Sequence, residues 1–377
     1  MENFLPDFDS FFETSIFWFF CGVSGIQLLY IALVYSRLSF HKNKDIPLST
    51  EGVTVIIAAR NESENIFNHL PLILEQNYPD FEVIVINHQS TDDSRYILDA
   101  YKRQYPHLKI IEIEKSVHLK YGKKLPITVG VKGAKFDRLL FTDADCKPNS
   151  MNWLQSMSKH FTEKKQIVLG YGPYTKRKGW VNKMIRFDTA WIAMNYLALA
   201  KAKVPYMGVG RNMAYTKTIF NKVGGFKSHY SISSGDDDLF IQEAAKNKNY
   251  TINIEEESFC FSEPPETWKQ WMNQKSRHFT TSIKYSFINK VMLGIYPLSL
   301  LLMLSTFVFL MLDEDFRWIS LVIFGVIFLI KWLILGLAMR KLKEKSFIAF
   351  IPVLDILYAI FAPILYYSIE KKGHNKW

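Results

Sequence analysis

Cysteine is nearly absent from these 377 residues. Cys21, Cys146 and Cys260 lie too far apart to form a disulfide framework or a sulfur metal site, so free thiols are expected. The central region has no internal repeat and no low-complexity linker, which excludes solenoid and array architectures there. Charge is missing locally as well. Ser15 to Val34 holds Phe17, Trp18, Phe19, Phe20, Leu28, Leu29, Ile31 and Leu33 without one charged side chain. That run can cross a hydrocarbon core of roughly 30 Å as a helix. It is longer than the apolar part of a signal peptide and follows the acidic Glu2, Asp7, Asp9 and Glu13, so a membrane anchor is expected.

Three further apolar stretches lie beyond residue 290: Val291 to Leu312, Trp318 to Met339 and Phe347 to Ile369. The first is clean, the second contains Lys331, and the third is interrupted by Pro352, Asp355 and Pro363. A charge at membrane depth normally faces protein or water, which leaves a re-entrant hairpin open for the third beside a full span. Arg37, His41, Lys42 and Lys44 follow the first run, and Arg340, Lys341, Lys343 and Lys345 precede the last. Basic flanks belong on the cytoplasmic side, which places residues 38 to 290 inside. A full final crossing would put Lys371, Lys372 and Lys376 outside, against the same rule, and re-entry would remove that conflict.

The net charge of +10 suits anionic lipid and a diphosphate ligand as well as nucleic acid. No recognised nucleic-acid motif accompanies it, so no nucleic-acid partner is expected. Between the apolar ends, short β-rich runs alternate with amphipathic stretches: Val53 to Ala58, Val83 to Asn87, Ile110 to Ile113, Leu139 to Thr142 and Ile167 to Gly170. That alternation predicts an α/β fold with a mostly parallel sheet. In such sheets ligands sit beyond the carboxyl ends of the strands. The residues found there are Ala59-Arg60-Asn61-Glu62, Asn87-His88-Gln89-Ser90-Thr91-Asp92 and Asp143-Ala144-Asp145. Two carboxylates two residues apart at a strand end can converge on one hard cation, Mg²⁺ or Mn²⁺. From Pro264 to Phe287, Trp268, Trp271, Phe279 and Tyr285 alternate with Lys269, Lys275, Arg277 and Lys284, a mixture suited to a helix in the membrane interface.

The order Val-Thr-Val-Ile-Ile-Ala-Ala-Arg-Asn-Glu, Val-Ile-Val-Ile-Asn-His-Gln-Ser-Thr-Asp and Phe-Thr-Asp-Ala-Asp-Cys resembles the family 2 glycosyltransferases, which include cellulose, chitin and hyaluronan synthases. Gly208 to Tyr215, Val223 to Phe226, Ser234 to Leu239 and Gln274 to His278 extend the resemblance over about residues 52 to 280. It implies a GT-A-like domain and a nucleotide-sugar donor. Ala59, Arg60 and Glu62 would line the nucleotide site together with Asn87 and Asp92, and Asp143 and Asp145 would hold the donor diphosphate through the metal. Lys123 or Lys124 would supply the basic residue near the phosphates. Asp236, with Asp237 as the alternative one position along, would be the general base of an inverting displacement. Gln274 and Arg277 would serve the donor diphosphate, with Asn212 and His278 on the acceptor side. The chain departs from the family in having His278 where tryptophan is usual and His88 where an aspartate is frequent.

The expected layout is an anchor at residues 1–37, a cytoplasmic transferase domain at 38–263, an interfacial segment at 264–289 and a membrane region at 290–377. The expected function is transfer of a sugar to a lipid-linked or glycan acceptor at the cytoplasmic (inner) membrane. A processive polysaccharide synthase is the alternative within the class, and a transporter or an inactive sugar-binding scaffold the alternatives outside it.

Overall fold

A computed structural model describes residues 11–43, 45–114, 122–232 and 234–370, except for the side chains of 277–280 and 365–370. The chain divides into two compact units, one made of the segments up to His41 and from Ser286 onward, the other of Lys42–Tyr285.

The first unit contains four helices long and apolar enough to cross a membrane: Phe11–Ser39, Phe287–Leu310, Arg317–Lys341 and Lys345–Ile364. Hydrocarbon requires every backbone polar group to be bonded within the chain, which a helix achieves by itself. Several of the polar side chains find partners on neighbouring helices. Gln27 donates to the Tyr296 carbonyl and the Ser299 hydroxyl, both at 2.7 Å. Lys331 and Asp355, almost wholly buried, pair at 2.6 Å, and the Tyr296 hydroxyl donates to Asp355 at 2.9 Å. This pairing bears on the re-entrant hairpin left open for the last stretch, because Ile351–Glu370 is one continuous helix. Asp355 has a partner inside the bundle, and Pro352 lies in the first helical turn, where a missing N–H costs nothing.

The second unit is built on a seven-stranded sheet. Its strands are β1 (Val53–Ala59), β2 (Phe81–His88), β3 (Leu108–Ile113), β4 (Arg138–Asp143), β6 (Ile167–Leu169), β7 (Met213–Thr216) and β8 (Tyr250–Ile252), in the order β3-β2-β1-β4-β7-β6-β8. β5 (Cys146–Pro148) and β9 (Cys260–Ser262) form a separate antiparallel pair. β1 pairs in parallel with both β2 and β4, whereas β7 runs antiparallel to β4 and β6. All five expected strands are present. β5, β7, β8 and β9 lie outside the expected set: at three or four residues each they carry little periodicity, whereas β6, equally short, belongs to the apolar run Ile167 to Gly170.

Side chains alternate across β1 as a pleated strand requires. Val53, Val55 and Ile57 join Leu70, Ile73, Val83, Val85 and Trp153 in the core on one face. On the other face, Ile56 meets the helix Lys124–Gly133 at Gly130, where an added Cβ would come within 2.8 Å of Ile56 and Ile86. Glycine therefore lets that helix lie close on the sheet and sets the position of its first residues, Lys123 and Lys124.

Candidate functional site

The strand order reverses at β1 and β4, the place where an open α/β sheet leaves a crevice at its carboxyl edge. Register makes the edge level, with Ala58 opposite Asp143 and Ala59 opposite Asn87. Asp143, Asp145 and Cys146 offer ligand atoms that all lie within 4.8 Å of one another. Burial and the neighbouring Asp143 push the Asp145 carboxyl above the ordinary aspartate range. Cys146 is wholly buried, and burial together with Cys260 raises its thiol well above the usual range. A hard divalent cation takes oxygen in preference to a thiol, so the two carboxylates are the donor set that fits it.

Lys123 Nζ lies 2.6 Å from Asp143 Oδ1. Burial opposes its charge, but Asp143 and then Asp236 outweigh that and hold the ammonium above the ordinary lysine range. Lys124, one residue on, donates instead to the carbonyls of His229 and Ile232, the latter at 2.9 Å. Burial draws its ammonium down to about 8. Of the two lysines left open by the sequence, Lys123 faces the carboxylates and Lys124 braces the turn that leads to Asp236. Glu62 faces the same centre. Burial raises its carboxyl, a hydrogen bond from Asn65 opposes the rise, and Asp145 adds to it.

The three adjacent aspartates are separated by their partners. Asp237 accepts from the backbone N–H of Asp238 at 2.8 Å and of Gly210 at 3.2 Å, which caps the helix Asp238–Ala244. Asp238 accepts from Leu239 N at 2.7 Å, from the Tyr285 hydroxyl at 2.7 Å and from the Thr281 hydroxyl. Asp236 accepts no hydrogen bond from another residue among the described residues and is 8% exposed. Burial, then the Asp237 carboxylate, push its carboxyl up to about 6.

On the nucleotide side, Asp92 accepts from Ser63 N at 2.9 Å and from the Ser94 hydroxyl at 2.6 Å, so it ties the loop after β1 to the loop after β2. The Asn87 amide donates to both Glu112 oxygens at 3.0 and 3.1 Å. His88 is fully buried, and burial with the nearby Arg60 lowers its proton affinity, which keeps the imidazole neutral. Arg60 is partly buried at the strand end and Ala59 is buried within the strand.

The segment 51–281 matches the family described as glycosyltransferase like family 2. The chain belongs to this family. Among curated relatives, the probable glycosyltransferase YdaM of Bacillus subtilis is 26% identical over 234 residues, covering 60% of this chain and 54% of that protein. The poly-beta-1,6-N-acetyl-D-glucosamine synthase of Staphylococcus epidermidis is 23% identical over 269 residues, covering 68% and 60% respectively. The chain thus spans just over half the length of these relatives. Among solved structures, the mannosyltransferase PcManGT from Pyrobaculum calidifontis, in complex with GDP-Man and Mn²⁺, superposes with a TM-score of 0.54 at 18% identity. That alignment covers 92% of this chain and 99% of PcManGT. The likeness establishes a shared GT-A-like fold.

Within this family 2 chain, one site residue is a correction. Asn212, expected on the acceptor side, is fully buried, with its amide donating to the carbonyls of Tyr171 and Ser258 at 2.7 Å and its oxygen accepting from Trp153 Nε1 at 3.1 Å. Its side-chain amide is engaged at both ends, so it is not presented to an acceptor. Its neighbour Arg211, which the sequence reading passed over, supplies a charge near Asp145 and stacks over the Tyr174 ring at 4.4 Å. Tyr174 exchanges hydrogen bonds of 2.9 and 3.1 Å with Gln274, which connects the metal motif to the helix Trp268–Ser282. Lys275 pairs with Asp188 at 2.5 Å and fastens that helix to the helix Trp180–Lys201. The side chains of Arg277 and His278 lie outside the described residues.

Proposed function

We propose that the chain moves a sugar from a nucleotide-diphosphate-sugar to a lipid-linked or glycan acceptor, with inversion, at the cytoplasmic face of the inner membrane. The observation that carries this reading is Asp236, the one carboxylate of its triplet not engaged by another described residue, raised to about 6 and close enough to Lys123 to feel its charge. A base needs that combination of an available oxygen and a proton affinity near the working pH. Asp236 takes the proton of the acceptor hydroxyl as that oxygen attacks the anomeric carbon. The bond from that carbon to the diphosphate breaks on the opposite face, and the nucleoside diphosphate leaves with the electron pair.

Asp143 and Asp145 would hold Mg²⁺ or Mn²⁺, which when bound screens the diphosphate charge. Lys123, Arg211 and Arg277 add positive charge for the same phosphates, and Ala59, Arg60, Glu62, Asn87 and Asp92 form the nucleotide side. Residues 38–263 are the transferase part and 264–289 an interfacial segment, with 1–37 and 290–377 holding both to the bilayer. The GDP-Man bound to PcManGT and the N-acetylglucosamine unit in the synthase's name indicate which sugars to try first. The test is nucleotide release by the full chain in lipid nanodiscs, offered UDP- and GDP-sugars with and without Mn²⁺ and membrane lipid extract. Metal-dependent release that rises with lipid supports the proposal; silence with every donor from folded protein overturns it. The synthase name also favours a polymer product, which a ladder of product lengths would reveal.

A further inference from the structure

Since Asp236 is not engaged by another described residue, its position is set by the chain on either side of it. Upstream, Lys124 clasps the carbonyls of His229 and Ile232, and Gly235, with a φ of +95°, turns the chain into the aspartates. Downstream lies Asp238, 5% exposed, at the first position of the helix Asp238–Ala244. Its Oδ1 accepts from Leu239 N at 2.7 Å. Its Oδ2 accepts from two hydroxyls of another part of the chain, Tyr285 Oη at 2.7 Å and Thr281 Oγ1. Thr281 is buried in the last turn of the helix Trp268–Ser282, and Tyr285 follows three residues after the end of that helix. The sequence groups Tyr285 with the aromatics of an interface, yet its hydroxyl turns inward and its ring lies 5.9 Å from that of the buried Tyr206. Burial and the Asp238 carboxylate push the phenol well above its usual range, so it stays a donor.

We infer that Thr281 and Tyr285 are positioning residues of the transfer, which hold the loop of the base to the helix Trp268–Ser282 through Asp238. This rests on Asp236 acting as the base, as proposed above. An ionised carboxylate only accepts, and three donors converge on this one, so the contact fixes direction as well as distance. Helix capping does not account for the two hydroxyls, because Asp237 already caps the helix Asp238–Ala244. The helix Trp268–Ser282 is also fastened in its middle, where Gln274 exchanges hydrogen bonds with Tyr174 and Lys275 pairs with Asp188. Tyr174 in turn carries Arg211, whose charge acts on Asp145. One helix therefore meets the neighbours of the metal motif at Gln274 and the loop of the base at Thr281, about two turns further on. A base displaced by about 1 Å loses alignment with the acceptor hydroxyl, whereas donor affinity belongs to the other end of the helix and is left intact.

Tyr285→Phe and Thr281→Val each remove one hydroxyl and keep the shape of the side chain. In the full chain in lipid nanodiscs, with the UDP- or GDP-sugar and membrane lipid extract that support nucleotide release, each should lower kcat by about tenfold. The Kd of UDP or GDP with Mn²⁺ should stay at the parent value, which also reports that the variant is folded. Should Tyr285→Phe fail to bind the nucleotide, Thr281→Val, which leaves the ring in place, carries the test. The deciding measurement repeats each substitution in the Asp236→Asn background. There the residual rate should fall no further, because no base is left to align. A fall as large as in the parent would mean a general loss of structure and overturn the inference, and so would a parental kcat in both single variants. Undiminished turnover in Asp236→Asn alone would remove the reading beneath it, so the two failures are distinguishable.

Discussion

Asp236, Asp237 and Asp238 are identical in chemistry and adjacent in the chain, yet among the described residues two are engaged by backbone and side-chain donors and one is not. Asp236→Asn should therefore leave donor affinity unchanged and lower kcat by about 10²–10⁴-fold, the range for loss of a general base. Asp237→Ala should instead remove a helix cap, with a stability loss of about 1 kcal/mol in thermal unfolding and transfer retained. In the proposed reaction the ionised Asp236 is the active form, so turnover should rise as pH increases through about 6 and then level. Asp237 contributes to that raised value by repulsion, and Asp237→Asn should move the acid limb to lower pH. An acid limb unmoved in the kcat profile would mean that another group sets it.

Between elements, single contacts decide positions. Lys124 holds the turn before Asp236 through two carbonyls. Lys124→Met should reduce kcat by up to about 10²-fold with donor binding intact, because a displaced base loses alignment. Lys124→Arg should recover part of that loss. In the membrane unit, Lys331→Met would leave Asp355 buried without its cation and should cost about 3 kcal/mol in unfolding from detergent. Adding Asp355→Leu should restore most of it, since an apolar pair of similar volume removes both charges together. If the double variant is as unstable as the single one, the pair has a role beyond mutual neutralisation.

For the whole molecule, donor and cation should stabilise together. A nucleoside diphosphate with Mn²⁺ at about 100 times Kd should raise the unfolding free energy by about 2.7 kcal/mol, and EDTA should remove that gain, if Asp143 and Asp145 carry the phosphates through a metal. The sequence by itself determined the apolar runs, the strands β1, β2, β3, β4 and β6 and the placement of polar residues at strand ends, because periodicity and local composition are properties of neighbours in the chain. It also located the Asp143–Asp145 pair, since both carboxylates come from one turn. Tertiary structure alone decided the rest. Which aspartate stays available depends on Gly210, Thr281 and Tyr285, and Lys123 meets Asp143 while Lys124 is held by the carbonyls of His229 and Ile232. Asn212 turned inward and Arg211 toward Asp145, although the two are adjacent in one motif. Lys331 and Asp355, each costly alone in an apolar helix, became partners only when the helices packed. Such outcomes depend on groups far apart in sequence, whose distances no local pattern records.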